Sequence, residues 1–144
     1  MECRVKTTEI MDRAKFLWYG YTMIFQFDFS DLPYQEAREV AEYGKTIIAK
    51  MPKNYVLTLT NVTNVMYDDK FNQLAEELAA HNKPYVLAGA VIGVPGWREI
   101  VYRAALLFSG RDNLKLFSQV ESAKAWLAGY GEKSFARMSQ FRIE

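Results

Sequence analysis

Residues 84–97 read PYVLAGAVIGVPGW, and this stretch decides the fold. Residues 85–92 carry no charge and no strongly hydrogen-bonding side chain, so neither face of the segment is suited to water. Such a run predicts an interior strand of a parallel sheet. Its middle, Ala88-Gly89-Ala90, is small on both faces, which would let covering helices approach the sheet closely.

The exit from this strand predicts a strand, loop and helix junction. Gly93-Val94-Pro95-Gly96 ends the strand, and Pro95 offers a pre-set φ for the first turn of a helix over about 95–109. In open α/β sheets, ligands bind at the carboxyl ends of strands, where such loops lie. The junction is therefore the first place to look for a site.

Composition indicates a single folded domain over residues 1–144. Hydrophobic residues make up 50% and aromatic residues 15%, which excludes disorder, and a net charge of +1 gives no global attraction to nucleic acid. No apolar run approaches the ~20 residues that span a bilayer, and the charged N-terminus does not resemble a signal peptide. With Cys3 as the single cysteine, we expect a cytoplasmic protein without disulfides.

Hydrophobic spacing around this strand predicts alternating strands and helices. Two aromatic and β-branched runs, 14–19 and 22–29, flank Gly20-Tyr21 and predict an antiparallel hairpin near the sheet's edge. Further strands are predicted at 55–60 and 114–117. Ser30-Asp31-Leu32-Pro33 predicts a helix start with a side-chain cap, and that helix extends to about residue 50. Other helices follow Asp68 or Asp69, Pro95 and the capping box at 118–121.

The two ends of the chain have weaker patterns. Residues 1–13 have no clean period and are expected to be an extended or partly ordered arm. Gly129-Tyr130-Gly131 is expected to break the last helix, which leaves a tail of uncertain structure over 129–144. The predicted fold is an α/β domain with a mostly parallel five-stranded sheet and an N-terminal antiparallel hairpin strand, in which right-handed crossovers place helices over the sheet.

Several segments together resemble the bacterial SpoIIAA-like family over roughly residues 23–128. They are LTLTNVT at 57–63, HNKPYV at 81–86, GVPG at 93–96, Ser109-Gly110-Arg111, Leu116-Phe117, Glu121, Ala123 and Trp126-Leu127. The resemblance implies a βα superhelix fold that is shared with STAS domains and similar to the core of CRAL-TRIO lipid-transfer domains. It implies no definite activity.

The resemblance points to two kinds of function. STAS domains in sporulation control carry a phosphorylated serine at the start of the helix after the third strand. Here residues 65–69 read VMYDD, without a serine, and the two carboxylates would repel a phosphate. The similarity to CRAL-TRIO domains instead implies an apolar ligand, or reversible membrane contact through a mobile helix.

Residues that carry chemistry are too few to predict an enzyme. His81, the only histidine, is expected to lie in the last turn of a helix in a capping role, and Cys3 is expected to be an inert thiol. Asp68 and Asp69 are adjacent, so on a helix they point ~100° apart and do not form an acid/base dyad. We therefore predict no catalytic residue, no metal site and no cofactor.

The first functional hypothesis is a non-enzymatic module that binds an apolar or amphipathic small ligand, such as a lipid, between the loops 61–67 and 93–97. Aromatic residues near these loops could line a mostly apolar pocket, and Arg98 and Arg111 are candidate anion ligands or else solvated charges. The predicted ligand-binding residues are Asn61, Thr63, Tyr67, Gly93, Val94, Trp97, Arg98 and Arg111.

The alternative hypothesis is a STAS-like protein interaction module without the phosphorylatable serine. Tyr102 and Leu106 fall one turn apart on the polar arc of the helix predicted over 95–109, where core packing does not explain them. Such an exposed pair is typical of a contact with a protein partner, a second subunit in a homodimer, or a membrane surface.

Overall fold

The computed structural model describes residues 7–96, 98–99 and 113–141, and in residue 7 and residues 132–141 only the backbone. The elements within these ranges are α1 (Thr7–Arg13), β1 (Ala14–Tyr19), β2 (Thr22–Asp28), α2 (Tyr34–Ile48), β3 (Val56–Asn61), α3 (Asp69–Asn82), β4 (Val86–Ile92), β5 (Leu114–Phe117) and α4 (Val120–Phe141). This is an α/β fold, as the sequence predicts.

The five strands form one sheet in the order β1-β2-β3-β4-β5. β1 pairs antiparallel with β2 through a tight turn in which Gly20 has a φ of +62°, and the remaining pairs are parallel. The prediction of a mostly parallel sheet with an antiparallel hairpin at one edge is confirmed. The prediction of an interior position for β4 is also confirmed, although β3 holds the middle position.

Helices pack on both faces of the sheet. α2 and α3 pack on one face, the α2/α3 face, to which Phe25, Phe27 and Val56 contribute. α4 packs on the other, the α4 face, where Leu127 contacts a cluster that includes Ala88 and Ala90. Because neighbouring residues of a strand point to opposite faces, β3 and β4 supply side chains to both cores.

The α2/α3 face is built on a run of phenylalanines. Phe16, Phe25, Phe27 and Phe29 follow one another with ring centroids 4.9 to 5.9 Å apart, and Phe71 of α3 meets Phe29 edge to face at 6.3 Å. α2 lies directly on this run, because a Cβ atom added to Gly44 would overlap the Phe27 ring. The sequence alternation in β2 therefore produces a continuous aromatic core.

The N-terminal segment corrects the expectation of an arm over residues 1–13. Residues 7–13 form α1, and residues 1–6 lie outside the described part of the chain. Arg13 fixes the end of α1, since its Nη1 donates to the carbonyl oxygen of Ser30 at 2.9 Å and lies 3.8 Å from an Asp28 carboxylate oxygen. These long-range contacts hold a helix that has no clear period in the sequence.

The start of α2 corrects the predicted side-chain cap. Pro33 is the N-cap residue and makes no capping hydrogen bond. The Ser30 hydroxyl donates instead to Asp28 Oδ1 at 2.6 Å, and Asp31 accepts from Asn64 Nδ2 at 2.9 Å. Asp31 has a φ of +61°, so this tetrapeptide forms a turn that connects two loops before the helix begins.

The C-terminal helix corrects the predicted break at residues 129–131. α4 is continuous from Val120 to Phe141 and passes through both glycines. Tyr130 packs edge to face on Trp126 at 5.0 Å, and a Cβ atom on Gly131 would lie 3.1 Å from Thr22 Cγ2. Tertiary packing thus outweighs the low helix propensity of glycine.

Candidate functional site

A cavity of about 470 Å³ lies on the α2/α3 face, between α3 and strands β3, β4 and β5. This volume is within the range of about 300 to 1,000 Å³ that is usual for small-molecule sites. The described residues that line it are Phe29, Thr58, Thr60, Val62, Phe71, Asn72, Leu74, Ala75, Glu76, Leu78, Ala79, Asn82, Val86, Gly89, Ala90, Val91, Arg98, Leu114 and Leu116.

The floor of the cavity depends on Gly89. This residue pairs with Thr58 on one side and Leu114 on the other. A Cβ atom on Gly89 would lie 2.7 Å from both Thr58 Oγ1 and Leu114 Cδ2. Because Gly89 has no side chain, the Thr58 hydroxyl and a Leu114 methyl group can both lie close above it. The floor therefore has a polar part next to an apolar part.

The cavity is elongated along the strands. Its lining on β4 extends from Val86 to Val91, which at the rise of a strand corresponds to about 17 Å. Asn82 and Val86 lie towards the end where the parallel strands begin, whereas Phe29, Val62 and Arg98 lie towards the carboxyl ends. The shape suits an extended molecule better than a compact one.

Arg98 supplies a positive charge at the carboxyl end of the cavity. It lies in a helical turn in which the Arg98 and Glu99 amides donate to the carbonyl oxygen of Pro95 at 2.9 and 3.0 Å. The guanidinium group lies over the Tyr67 ring, 5.1 Å from its centroid, and Nη2 donates to Asn72 Oδ1 at 3.4 Å. Stacking and the hydrogen bond orient a planar cation that suits a carboxylate or phosphate.

Two predicted ligand-binding residues, Asn61 and Thr63, are engaged within their own loop. Asn61 Oδ1 accepts from the Thr63 amide at 3.0 Å and from the Thr63 hydroxyl at 2.6 Å, as in an Asx turn. Gly93, with a φ of +88°, approaches the Thr63 backbone so closely that a Cβ atom would overlap it. The two predicted loops therefore do meet, and their contact is structural.

The other predicted residues divide into three groups. Tyr67 and Val94 are half-buried beside the α2/α3 core, and neither is among the lining residues. Tyr67 serves the site indirectly, since its ring lies under the Arg98 guanidinium. Arg98 lines the cavity, and its predicted role as a ligand-binding residue stays a prediction. Outside the described residues lie Trp97, Arg111, Tyr102 and Leu106, so the proposed interaction surface stays a prediction.

Sequence reasoning missed the polar residues inside the cavity. Thr58 and Asn82 are both 7% exposed, and Thr60 and Asn72 also line the space. A signal was available in β3, because Thr58 and Thr60 lie two residues apart in a buried strand and so place both hydroxyls on one face. Asn82 Oδ1 also accepts a hydrogen bond from His81 Nδ1 at 2.8 Å.

The residues that were candidates for catalysis or metal binding make contacts within the fold instead. Asp68 is the N-cap of α3 and accepts from the Phe71 amide at 2.9 Å, as predicted. His81 lies in the last turn of α3, with its ring centroid 5.9 Å from that of Tyr85. Within residues 7–96, 98–99 and 113–141, no three histidine, cysteine or carboxylate side chains cluster as metal ligands would. Cys3 lies outside these ranges.

No family model, curated protein or solved structure matches this chain. The resemblance to the SpoIIAA-like family therefore stays a prediction. In the part of the chain that the structure describes, none of the helices has both the length and the apolar character needed to cross a bilayer.

Proposed function

We propose that the protein is a cytoplasmic, non-enzymatic module that binds an amphipathic small molecule in the cavity beneath α3. The observation that carries this proposal is an elongated, mainly apolar space with an oriented guanidinium group at one end. The bound molecule would place an aliphatic body along β4 and an anionic group next to Arg98. The resemblance to a family whose fold is similar to lipid-transfer domains agrees with this role.

The lining explains why the ligand should be amphipathic. Leu74, Leu78 and Leu116 offer apolar surface that gains about 25 cal/mol for each Å² that a ligand covers. At one end, Arg98 can form charge-assisted hydrogen bonds, which are stronger than neutral ones. Thr58 and Thr60 also line the cavity and can hydrogen-bond to an oxygen of the ligand.

Matched C12 ligands test the proposal: dodecanoate, dodecyl phosphate and dodecanol share one chain and differ in the head group. Isothermal titration should show saturable binding of one or both anions, with weaker binding of dodecanol. Substitution of Arg98→Gln removes a hydrogen bond to a charged group, worth about 1.5–3 kcal/mol, so the Kd for the anion should rise roughly tenfold to hundredfold. The Kd for dodecanol should be unchanged.

Two surface variants serve as controls for the effects of cavity variants on ligand binding. Ala75→Phe fills the cavity from α3 and should weaken binding of all three ligands, whereas Ala80→Phe, on an exposed position of the same helix, should not. Arg38→Gln removes an exposed arginine on α2 and should leave the Kd for the anions unchanged. Absence of binding to all three ligands, together with native mass spectra that show no co-purified molecule, would contradict the proposal.

A further inference from the structure

A second surface of interest lies at the end of the sheet where the parallel strands begin. We call this surface, at the amino-terminal ends of the strands, the amino edge. Three of its segments are residues 18–22 at the β1–β2 turn, 49–55 between α2 and β3, and 81–85 between α3 and β4. The last two are joined by backbone hydrogen bonds from Asn54 to Pro84 and from Tyr55 to Tyr85, both 2.9 Å. The first adjoins them because β2 pairs with β3. α4 also passes this end of the sheet, where Gly131 lies beside Thr22.

Large aromatic side chains are exposed along the amino edge. Trp18 is 67% exposed, Tyr21 at the tip of the hairpin is fully exposed, and Tyr55 is 46% exposed. Core packing does not account for side chains this open to water. Tryptophan and tyrosine combine an apolar ring with a polar group, so they favour the boundary between water and lipid.

The amino edge is also basic. These three segments contain the exposed residues Lys50, Lys53 and Lys83, and their sequences contain no aspartate or glutamate. Lys53 Nζ lies 5.7 Å from the centroid of the Tyr85 ring, which brings the charges and the aromatic groups into one surface. At the opposite end of the sheet, where the parallel strands end, the segments after β2 and β3 carry the exposed carboxylates of Asp31, Asp68 and Asp69.

We propose that the amino edge docks on an anionic membrane surface. The aromatic side chains would enter the headgroup region, and the lysines would contact anionic lipid headgroups; each lysine near such a surface contributes about 1 kcal/mol. A second copy of this edge is a poorer partner, because a two-fold contact would place lysines against lysines. This proposal rests on the amino edge and does not depend on a ligand in the cavity.

Vesicle co-sedimentation tests the docking. The wild-type chain should bind vesicles of phosphatidylcholine that contain phosphatidylserine and should bind pure phosphatidylcholine vesicles much more weakly. Raised salt should reduce binding to the anionic vesicles. Lys53→Gln/Lys83→Gln should reduce the partition coefficient about fivefold per lysine. Lys15→Gln/Lys70→Gln, which removes the same charge from exposed positions elsewhere, should change it little.

The aromatic contribution has its own matched pair. Trp18→Ser/Tyr21→Ser should sharply reduce vesicle binding, whereas Met11→Ser/Met66→Ser, which removes exposed apolar side chains away from the amino edge, should not. Circular dichroism confirms that each variant is folded. The proposal would be overturned if an amino-edge double variant and its control double variant lost vesicle binding equally. Equal binding of the wild-type chain to neutral and anionic vesicles would also overturn it. It would also be overturned if sedimentation velocity showed that Trp18 and Tyr21 hold two copies together.

Discussion

The two faces of the sheet use the same strands but are packed differently. On the α4 face, Ala88 and Ala90 of β4 lie against Ala123 and Leu127 of α4, and all four are fully buried. On the α2/α3 face, the adjacent residue Gly89 and its neighbour Thr58 form the floor of a cavity. One residue step along β4 thus separates a closed core from a cavity.

This difference places a closely packed face and a hollow face on the two sides of one strand. A closely packed face gains dispersion contacts from every side, whereas atoms that line a hollow have partners on one side only. The α4 face should therefore account for more stability per buried side chain. The cavity on the α2/α3 face should tolerate changes in volume that the α4 face does not.

The largest expected effect comes from truncating a leucine on each face. Leu127→Ala removes a fully buried side chain from the α4 face and should lower the free energy of unfolding by about 2–5 kcal/mol. Leu114→Ala enlarges a cavity that is already present, so the loss should be smaller, below about 2 kcal/mol. Urea denaturation measures both values. Equal losses would show that the two faces are packed alike.

A smaller effect is expected when side chains are enlarged. Ala88→Leu adds volume where there is no space and should destabilise the protein by about 1–3 kcal/mol. Ala75→Phe projects into the cavity, so its melting temperature should equal or exceed that of the wild type. Thermal denaturation distinguishes the two. A strongly destabilised Ala75→Phe variant would mean that the cavity cannot accept a ring-sized group.

Local patterns in the sequence were sufficient for most of the fold. The uncharged run at 85–92 predicted an interior strand, and the aromatic runs on either side of Gly20 predicted the hairpin. These signals are local because burial on both faces, or a turn with positive φ, constrains each residue directly. α1 was missed because the contacts of Arg13 with Ser30 and Asp28 come from distant parts of the chain.

The candidate site was less predictable because it, too, depends on contacts between distant parts of the chain. A rule on the carboxyl ends of strands led to Arg98, which lines the cavity, but also to Asn61 and Thr63, whose polar groups bond to each other. The cavity is lined jointly by residues of α3 and of strands β3, β4 and β5, and no local pattern specifies how these elements are placed relative to one another. Polar lining residues such as Asn82 become recognisable only once the helix is placed over the sheet.

The smallest expected effect concerns the two glycines of α4 that suggested a helix break. A Cβ atom on Gly129 would have no atom within 4 Å, so Gly129→Ala should stabilise the protein by about 0.5–1 kcal/mol through the higher helix propensity of alanine. Gly131→Ala gains the same propensity, but its Cβ atom would lie 3.1 Å from Thr22 Cγ2, so close packing should cancel the gain. Paired thermal melts measure the difference. If both variants are stabilised equally, the approach of α4 to the hairpin is loose at this point, and the close packing of the α4 face ends before Gly131.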